Sequence, residues 1–161
     1  MNVIGFREAH DVAIAVDLPE AMSVDVPTLY ALMLLKLAAW ADRRVIPPLG
    51  KDAHDIRLLL KHYLEAGNQE RLYTVAAHLL DRADFDFEAA GAWLLGHDAR
   101  VMLNESVTAA SSVPFYLAIV QREATAATES LLLGDMRSPN PTNDLRLLRA
   151  FFEGFAESRT T

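Results

Sequence analysis

Between residues 11 and 26 apolar and polar positions alternate. Val12, Ile14, Val16 and Leu18 fall between Asp11, Ala13, Ala15 and Asp17, Pro19-Glu20 breaks the run, and Met22, Val24 and Val26 resume it. A period of two separated by a proline turn predicts a β-hairpin. Two strands alone are marginal in water. The hairpin is therefore expected either to lie under helices or to be the last pair of a larger sheet, and its edge invites pairing with another chain.

After Val26 the period changes. A first helix is expected from near Pro27, with Asp25 or Val26 in the cap region, ending before Pro47-Pro48. It is apolar on nearly all faces, the mark of a central helix. The connection VIPPLG reads as a short rigid turn that returns the chain beside it. A second helix runs from Lys51 or Asp52 to Glu65 on Ile56, Leu59, Leu60, Tyr63 and Leu64, and stops at Gly67-Asn68. A third is expected from Asn68, as its cap, to Leu80, with Leu72, Val75, Ala76 and Leu79 as its buried stripe. The run DFDFEAAGAWLLGHDARVML predicts another, its acids Asp84 and Asp86 placed at the positive end of the helix dipole.

Beyond Leu103 a helix is expected from near Pro114 through Leu131 to Leu133, ended by Gly134. Ser138-Pro139-Asn140-Pro141 reads as a linker incompatible with helix. Asn143 then opens a terminal helix striped by Leu145, Leu148, Phe152 and Phe155. The expected fold is α+β and mainly α-helical, a short N-terminal β-hairpin followed by about five or six helices. Residues 1–103 form the first unit, and 104–161 a helical extension packed on the same core.

Composition narrows the chemistry. In 161 residues and 17.8 kDa, 52% are hydrophobic, which gives one domain a real core. No apolar run approaches the length of a membrane span, and Arg7, Glu8 and Asp11 stand where a signal peptide needs its apolar region, so a cytoplasmic protein is expected. There is no cysteine, hence no disulfide and no thiol nucleophile. A net charge of −7 argues against general nucleic-acid binding, although Lys36, Arg43, Arg44 and Lys51 form a local basic group. No phosphate-cradling glycine loop and no nucleophile elbow occur. His54 and His62, eight residues apart on one helix, have poor spacing for a metal. Asp84 and Asp86 read as helix caps rather than metal ligands.

One cation needs an explanation. From Ala31 to Ala41 the only charge is Lys36, and a lysine is almost never buried without a partner. Helical spacing puts Lys36, Trp40 and Arg43 on one face, with the indole as an apolar floor between two cations. Asp52 and Asp55, at i and i+3, share a face of the second helix and supply the anions. Two outcomes are open: a structural bridge between helices, or a cleft in which Lys36 and Arg43 meet a phosphate while the aspartates orient them.

The string KLAAWADRR followed by KDAHDIRLLL resembles the K-x-x-A-x-x-x-R and R/K-D-x-x-D-L motifs of DNA polymerase β-like nucleotidyltransferases, in particular those grouped with the AbiEii/AbiGii abortive-infection toxins. The likeness runs from MNVIGFREA through LLKHYLEAGNQERLY to DFDFEAAGAWLLGHDAR, over roughly residues 1 to 100. The family's G-S-x(n)-D-x-D segment, and a later strand with a third carboxylate, normally lie upstream of text of this kind and are absent here.

The resemblance implies nucleotidyl transfer from an NTP to an unknown acceptor in a full-length form. Lys36, Asp52 and Asp55 are then the catalytic candidates, and Lys36, Arg43 and Lys51 the nucleotide-binding ones. It assigns Mg²⁺ to the missing D-x-D carboxylates, so this chain supplies no metal ligand, and Mg²⁺ and NTP are expected only where that segment is provided. The chain taken alone is expected to be inactive. Three readings follow: a truncated or incomplete nucleotidyltransferase; a non-catalytic oligomerising or partner-binding module of a toxin–antitoxin or phage-defence system; and an unrelated helical structural protein. The first two carry a homodimer or a complementing polypeptide met through the hairpin edge.

Overall fold

A computed structural model describes residues 6–43, 50–104, 109–126 and 129–157. After a short helix α1 (Phe6–Asp11), strands β1 (Ile14–Leu18) and β2 (Met22–Val26) form a two-stranded antiparallel sheet. The register pairs Ile14 with Val26, Val16 with Val24 and Leu18 with Met22. Alternation was thus a true sign of strand. A one-turn 3₁₀ helix, Pro19–Ala21, closes the hairpin, with Ala21 in the left-handed region at φ 58°. Both faces of both strands are exposed, so the helices do not cover the hairpin.

The helical body begins with α2 (Leu29–Arg43), in which Ala31, Met33, Leu34, Leu37, Trp40 and Ala41 are buried. Its first turn is set by Thr28, whose carbonyl accepts from the Leu32 amide at 2.8 Å. The expected VIPPLG turn and Arg44 lie outside the described residues. Gly50 leads into α3 (Lys51–His62), which inserts Ala53, Ile56 and Leu60 into the core. A wide π turn over Leu64–Asn68 ends α3, with Gly67 at φ 89°.

The helix expected over residues 68–80 is instead a single turn, α4 (Gln69–Leu72), followed by turns and a 3₁₀ segment over Ala77–Leu79. Leu72, Ala76 and Leu79 are nonetheless buried, because turns repeating every three or four residues present the same stripe as a helix. Asn68 does not cap with its side chain. Its Nδ2 donates back to the Tyr63 carbonyl at 2.8 Å.

Helix α5 (Phe87–Asn104) is the spine of the body, with eleven buried residues. Asp86 starts it as expected, Oδ1 accepting from the Ala89 amide at 2.9 Å. Helix α6 (Ala109–Ala126) begins before Pro114, which therefore sits inside it. Leu131–Met136 form a separate helix, α7. Ser130 caps it, Oγ accepting from the Leu133 amide at 3.2 Å, while Glu123 Oε2 accepts from Ser130 Oγ and the Leu132 amide. Gly134 lies within α7 with nothing within 4 Å of where a Cβ would stand. Gly134→Ala should therefore raise stability by about 0.5–1 kcal/mol, a shift of urea midpoint to higher concentration at unchanged slope.

Helix α8 (Pro141–Glu157) starts two residues before the predicted Asn143. Asn140 is its cap, Oδ1 accepting from the Asn143 amide at 3.2 Å, and Pro141 takes the first helical position, where its missing N–H costs nothing. The expected linker thus contains the start of the helix. Its buried stripe, Leu147, Leu148, Phe151 and Phe155, lies across α5 in the broadest helix contact of the body. Gly96 and Gly154 let the two backbones meet: a Cβ on Gly96 would stand 1.9 Å from the Phe151 carbonyl oxygen, and one on Gly154 2.0 Å from that of Trp93. No helix among the described residues is long and apolar enough to cross a membrane.

Candidate functional site

Helices α2 and α3 lie side by side. Their seam carries the lone lysine of α2 and the acidic first turns of α3. Lys36 Nζ stands 2.5 Å from Asp55 Oδ2 and 3.3 Å from Asp52 Oδ1. Arg43 Nη2 donates to Asp52 Oδ2 at 2.5 Å, and its Nε reaches the Ala39 carbonyl at 3.4 Å. Asp52 is therefore shared between two cations two turns apart on α2, and Asp55 steadies the lysine from the next turn of α3. The four groups sum to zero charge.

The cluster sits at the surface of the body. The Lys36 side chain keeps 22% of its area in solvent and that of Arg43 keeps 61%. Partial burial lowers the lysine's proton affinity, but the hydrogen bonds and charges of Asp55 and Asp52 outweigh it and hold Lys36 above the ordinary lysine value. The sign follows directly. The bridge contributes fully below the unfolded lysine pKa of about 10.4 and is lost as pH rises through the higher folded value. At neutral pH the ammonium is charged, and an anion entering the seam competes with Asp52 and Asp55 for it.

Trp40 has a different place from the one predicted. It is 3% exposed, and its Nε1 donates to Asp135 Oδ2 of α7 at 2.9 Å, so the indole ties α2 to α7 instead of forming a floor between Lys36 and Arg43. Lys51 also parts from the cluster. It lines a cavity of about 400 Å³ on the other side of α3, with His54 and Arg57 from α3 and Asp135, Met136 and Arg137 from the end of α7. Of the residues singled out in the sequence, Lys36, Arg43, Asp52 and Asp55 come together and Lys51 does not.

The donor set does not fit Mg²⁺. No three His, Asp or Glu side chains gather in metal-holding geometry among the described residues. Asp52 and Asp55 are already neutralised by Lys36 and Arg43, and Asp86 is engaged as a helix cap with Arg146 Nη2 at 2.9 Å. A second cavity, of about 310 Å³, opens between the segment around Arg82–Asp86, α5 and α8, but its Arg82 and Arg146 are spent on Glu153 and Asp86.

Two polar links escaped the sequence reading. Arg57 Nε donates to both oxygens of buried Asp144, at 3.2 and 3.1 Å, fastening α3 to α8. Asp98, 7% exposed inside α5, accepts from Tyr63 Oη at 2.5 Å and from Arg71 Nη1 and Nη2 at 2.6 Å each, with His97 Nδ1 at 3.2 Å. Burial pushes the Asp98 carboxyl up, but the Arg71 and Tyr63 bonds overcome this and hold it below the usual carboxylate range. Burial and that charge drive the Tyr63 phenol well above its ordinary value. The signal for this network was present: Asp98 is a carboxylate in a largely apolar helix, as Lys36 is a lysine in one.

A family profile described as "Nucleotidyl transferase AbiEii toxin, Type IV TA system" aligns with residues 2–154, well past the point near residue 100 where the motif likeness fades. No curated protein and no solved structure is significantly similar to the chain.

Proposed function

The chain belongs to the AbiEii family of nucleotidyl transferase toxins of type IV toxin–antitoxin systems, and on that premise we propose that it forms the phosphate-handling part of a nucleotidyltransferase, with Lys36 as the group that steadies the phosphates of an NTP. Arg43 supports the same phosphates from the exposed end of α2. Asp55 and Asp52 hold the lysine in place, and one of them assists the acceptor when the phosphates draw the cations away. The observation that carries this reading is the convergence of Lys36 and Arg43 on Asp52, at 3.3 and 2.5 Å, on a partly exposed seam. Arg43 is exposed and can be exchanged onto phosphate at small cost, while Lys36, held by two carboxylates on a part-buried seam, keeps its charge within reach of an entering anion.

Metal-binding carboxylates for the transfer itself come, in this reading, from another polypeptide segment. The protein works in the cytoplasm, where NTPs are available, and within a toxin–antitoxin pair its family implies a partner antitoxin. A second reading, a non-catalytic module that oligomerises or binds a partner, is favoured by the uncovered hairpin. Family membership sets aside the third, a helical protein unrelated to these enzymes.

Lys36→Ala separates a site from a bridge. Titration of ATP, GTP, CTP and UTP into the protein, followed by calorimetry, should give binding that the variant weakens at least tenfold, about 1.4 kcal/mol, with its unfolding curve within about 1 kcal/mol of the parent. A variant that loses several kcal/mol of stability and leaves nucleotide affinity unchanged would make the cluster structural. Absence of binding to any of the four by the parent would remove the proposal.

A further inference from the structure

We propose that one face of the β1–β2 hairpin is the contact surface of a twofold dimer, covered by the same face of a second copy of this chain. The inference commits the partner-binding part of the reading above to one occupant, and it stands whether or not Lys36 binds nucleotide.

The register places six apolar side chains on that face in three rungs: Ile14 beside Val26, Val16 beside Val24, and Leu18 beside Met22. All six are exposed, from 38% at Val24 to 59% at Ile14. The opposite face carries Ala15, Asp17, Ser23 and Asp25. This is the in–out alternation of a sheet with a buried side, but among the described residues no layer covers it: apart from each other, neither strand has more than passing contact with any described element. A hairpin of two strands does not hold its order in water without a hydrophobic face being covered. Scattered apolar residues are ordinary on a surface, whereas six in one contiguous block mark an interaction site.

The chemistry of the face selects its occupant. It holds no charge and no hydrogen-bonding side chain that would specify an unlike partner, and it is symmetric in character, aliphatic at each rung. A twofold contact requires one patch to complement itself, which an uncharged aliphatic sheet face does when two copies stack about 10 Å apart. Asp17 and Asp25 then point away from the contact. The like charge of two chains at −7 each is kept out of the interface.

Area sets the strength. Six aliphatic side chains exposed by 38–59% make a small patch, so a face-to-face pair lies at the low end of specific interfaces, which bury about 1,000 Å² or more. A contact of this size makes a weak dimer, reversible and concentration-dependent.

The test is sedimentation equilibrium of the 161-residue chain across roughly 1–200 µM, where weak dimers of proteins form. The expected result is a monomer–dimer equilibrium. Val16→Lys and Val24→Lys, at the centre of the face, should weaken it at least tenfold while far-UV dichroism of the helical body stays unchanged; Ala15→Lys and Ser23→Lys on the opposite face should leave it intact. Because the chain has no cysteine, Val24→Cys should yield a disulfide-linked dimer on oxidation and Ser23→Cys should not. A chain monomeric throughout the range overturns the proposal and leaves the face to an unlike partner. Equal loss from substitutions on both faces overturns it in favour of edge-to-edge strand pairing, and association insensitive to Val16→Lys and Val24→Lys places the contact elsewhere.

Discussion

Gly96→Ala is expected to leave the chain unfolded or close to it, and Gly154→Ala to do the same. Each new methyl would stand about 2 Å from a carbonyl oxygen of the facing helix, Phe151 in one case and Trp93 in the other. Neither obstacle can swing aside, since both are backbone of a helix interior. Relief requires α5 and α8 to separate by an ångström or more along their broadest contact, opening gaps around Leu94, Leu95, Leu147, Leu148 and Phe151, all of them fully buried. Overpacking in a core costs about 1–3 kcal/mol where side chains can adjust. Here the backbones themselves must move, and about 4 kcal/mol or more is expected, a large part of the 5–15 kcal/mol that holds a typical domain folded. Urea unfolding followed by far-UV dichroism measures it directly; a variant within about 1 kcal/mol of the parent would show that the two helices part freely.

The second large effect is expected at Asp98. Asp98→Ala removes the carboxylate that Tyr63, both Arg71 nitrogens and His97 contact, and leaves Arg71 and Tyr63 without their anion. Asp98 is buried but the Arg71 side chain keeps 37% of its area in solvent, so water can take up part of its charge, and about 2–3 kcal/mol is expected rather than the full cost of a buried pair. Asp98→Asn keeps the shape and one acceptor oxygen and should cost less, while Tyr63→Phe loses one bond and about 1 kcal/mol. The pH dependence carries a sign. The folded carboxyl lies below the unfolded value of about 3.9, so its contribution is complete above that value and is lost as pH falls through the folded one. The difference in stability between parent and Asp98→Asn should thus be constant from pH 5 to 7 and shrink below about pH 4. A difference independent of pH down to the acid limit would mean that the network does not rest on the charge of Asp98.

Local rules made part of this structure readable. Strict alternation identified both strands, and a lysine alone in an apolar helix identified its need for anions; Asp52 and Asp55, at adjacent turns, met it. Other features depended on partners distant in the chain. The Trp40 indole reads as apolar floor until Asp135 appears beside it, and the buried position of Asp98 makes sense only once Arg71 is folded over it. The segment after Asn68 kept a helical stripe while its backbone broke after Leu72, because burial needs the spacing and not the helix. Asn140-Pro141 showed the opposite error: two residues that punctuate loops are here the cap and first turn of α8, a pattern that local signals do contain. The contact of Gly96 with α8 could not be read from either helix, since a glycine marks close approach only when its neighbour is known.

The hydrogen bond from Trp40 to Asp135 spans 95 residues, and that from Arg57 to Asp144 spans 87. Each closes a long loop onto the helices that carry Lys36, Arg43, Asp52 and Asp55. During synthesis α2 and α3 leave the ribosome early, but the residues that fasten them follow roughly 5–20 s later at ordinary elongation rates. The seam between α2 and α3 is therefore made near the start of translation and locked near its end, so a ribosome that stops before Asp135 releases both helices without either fastening.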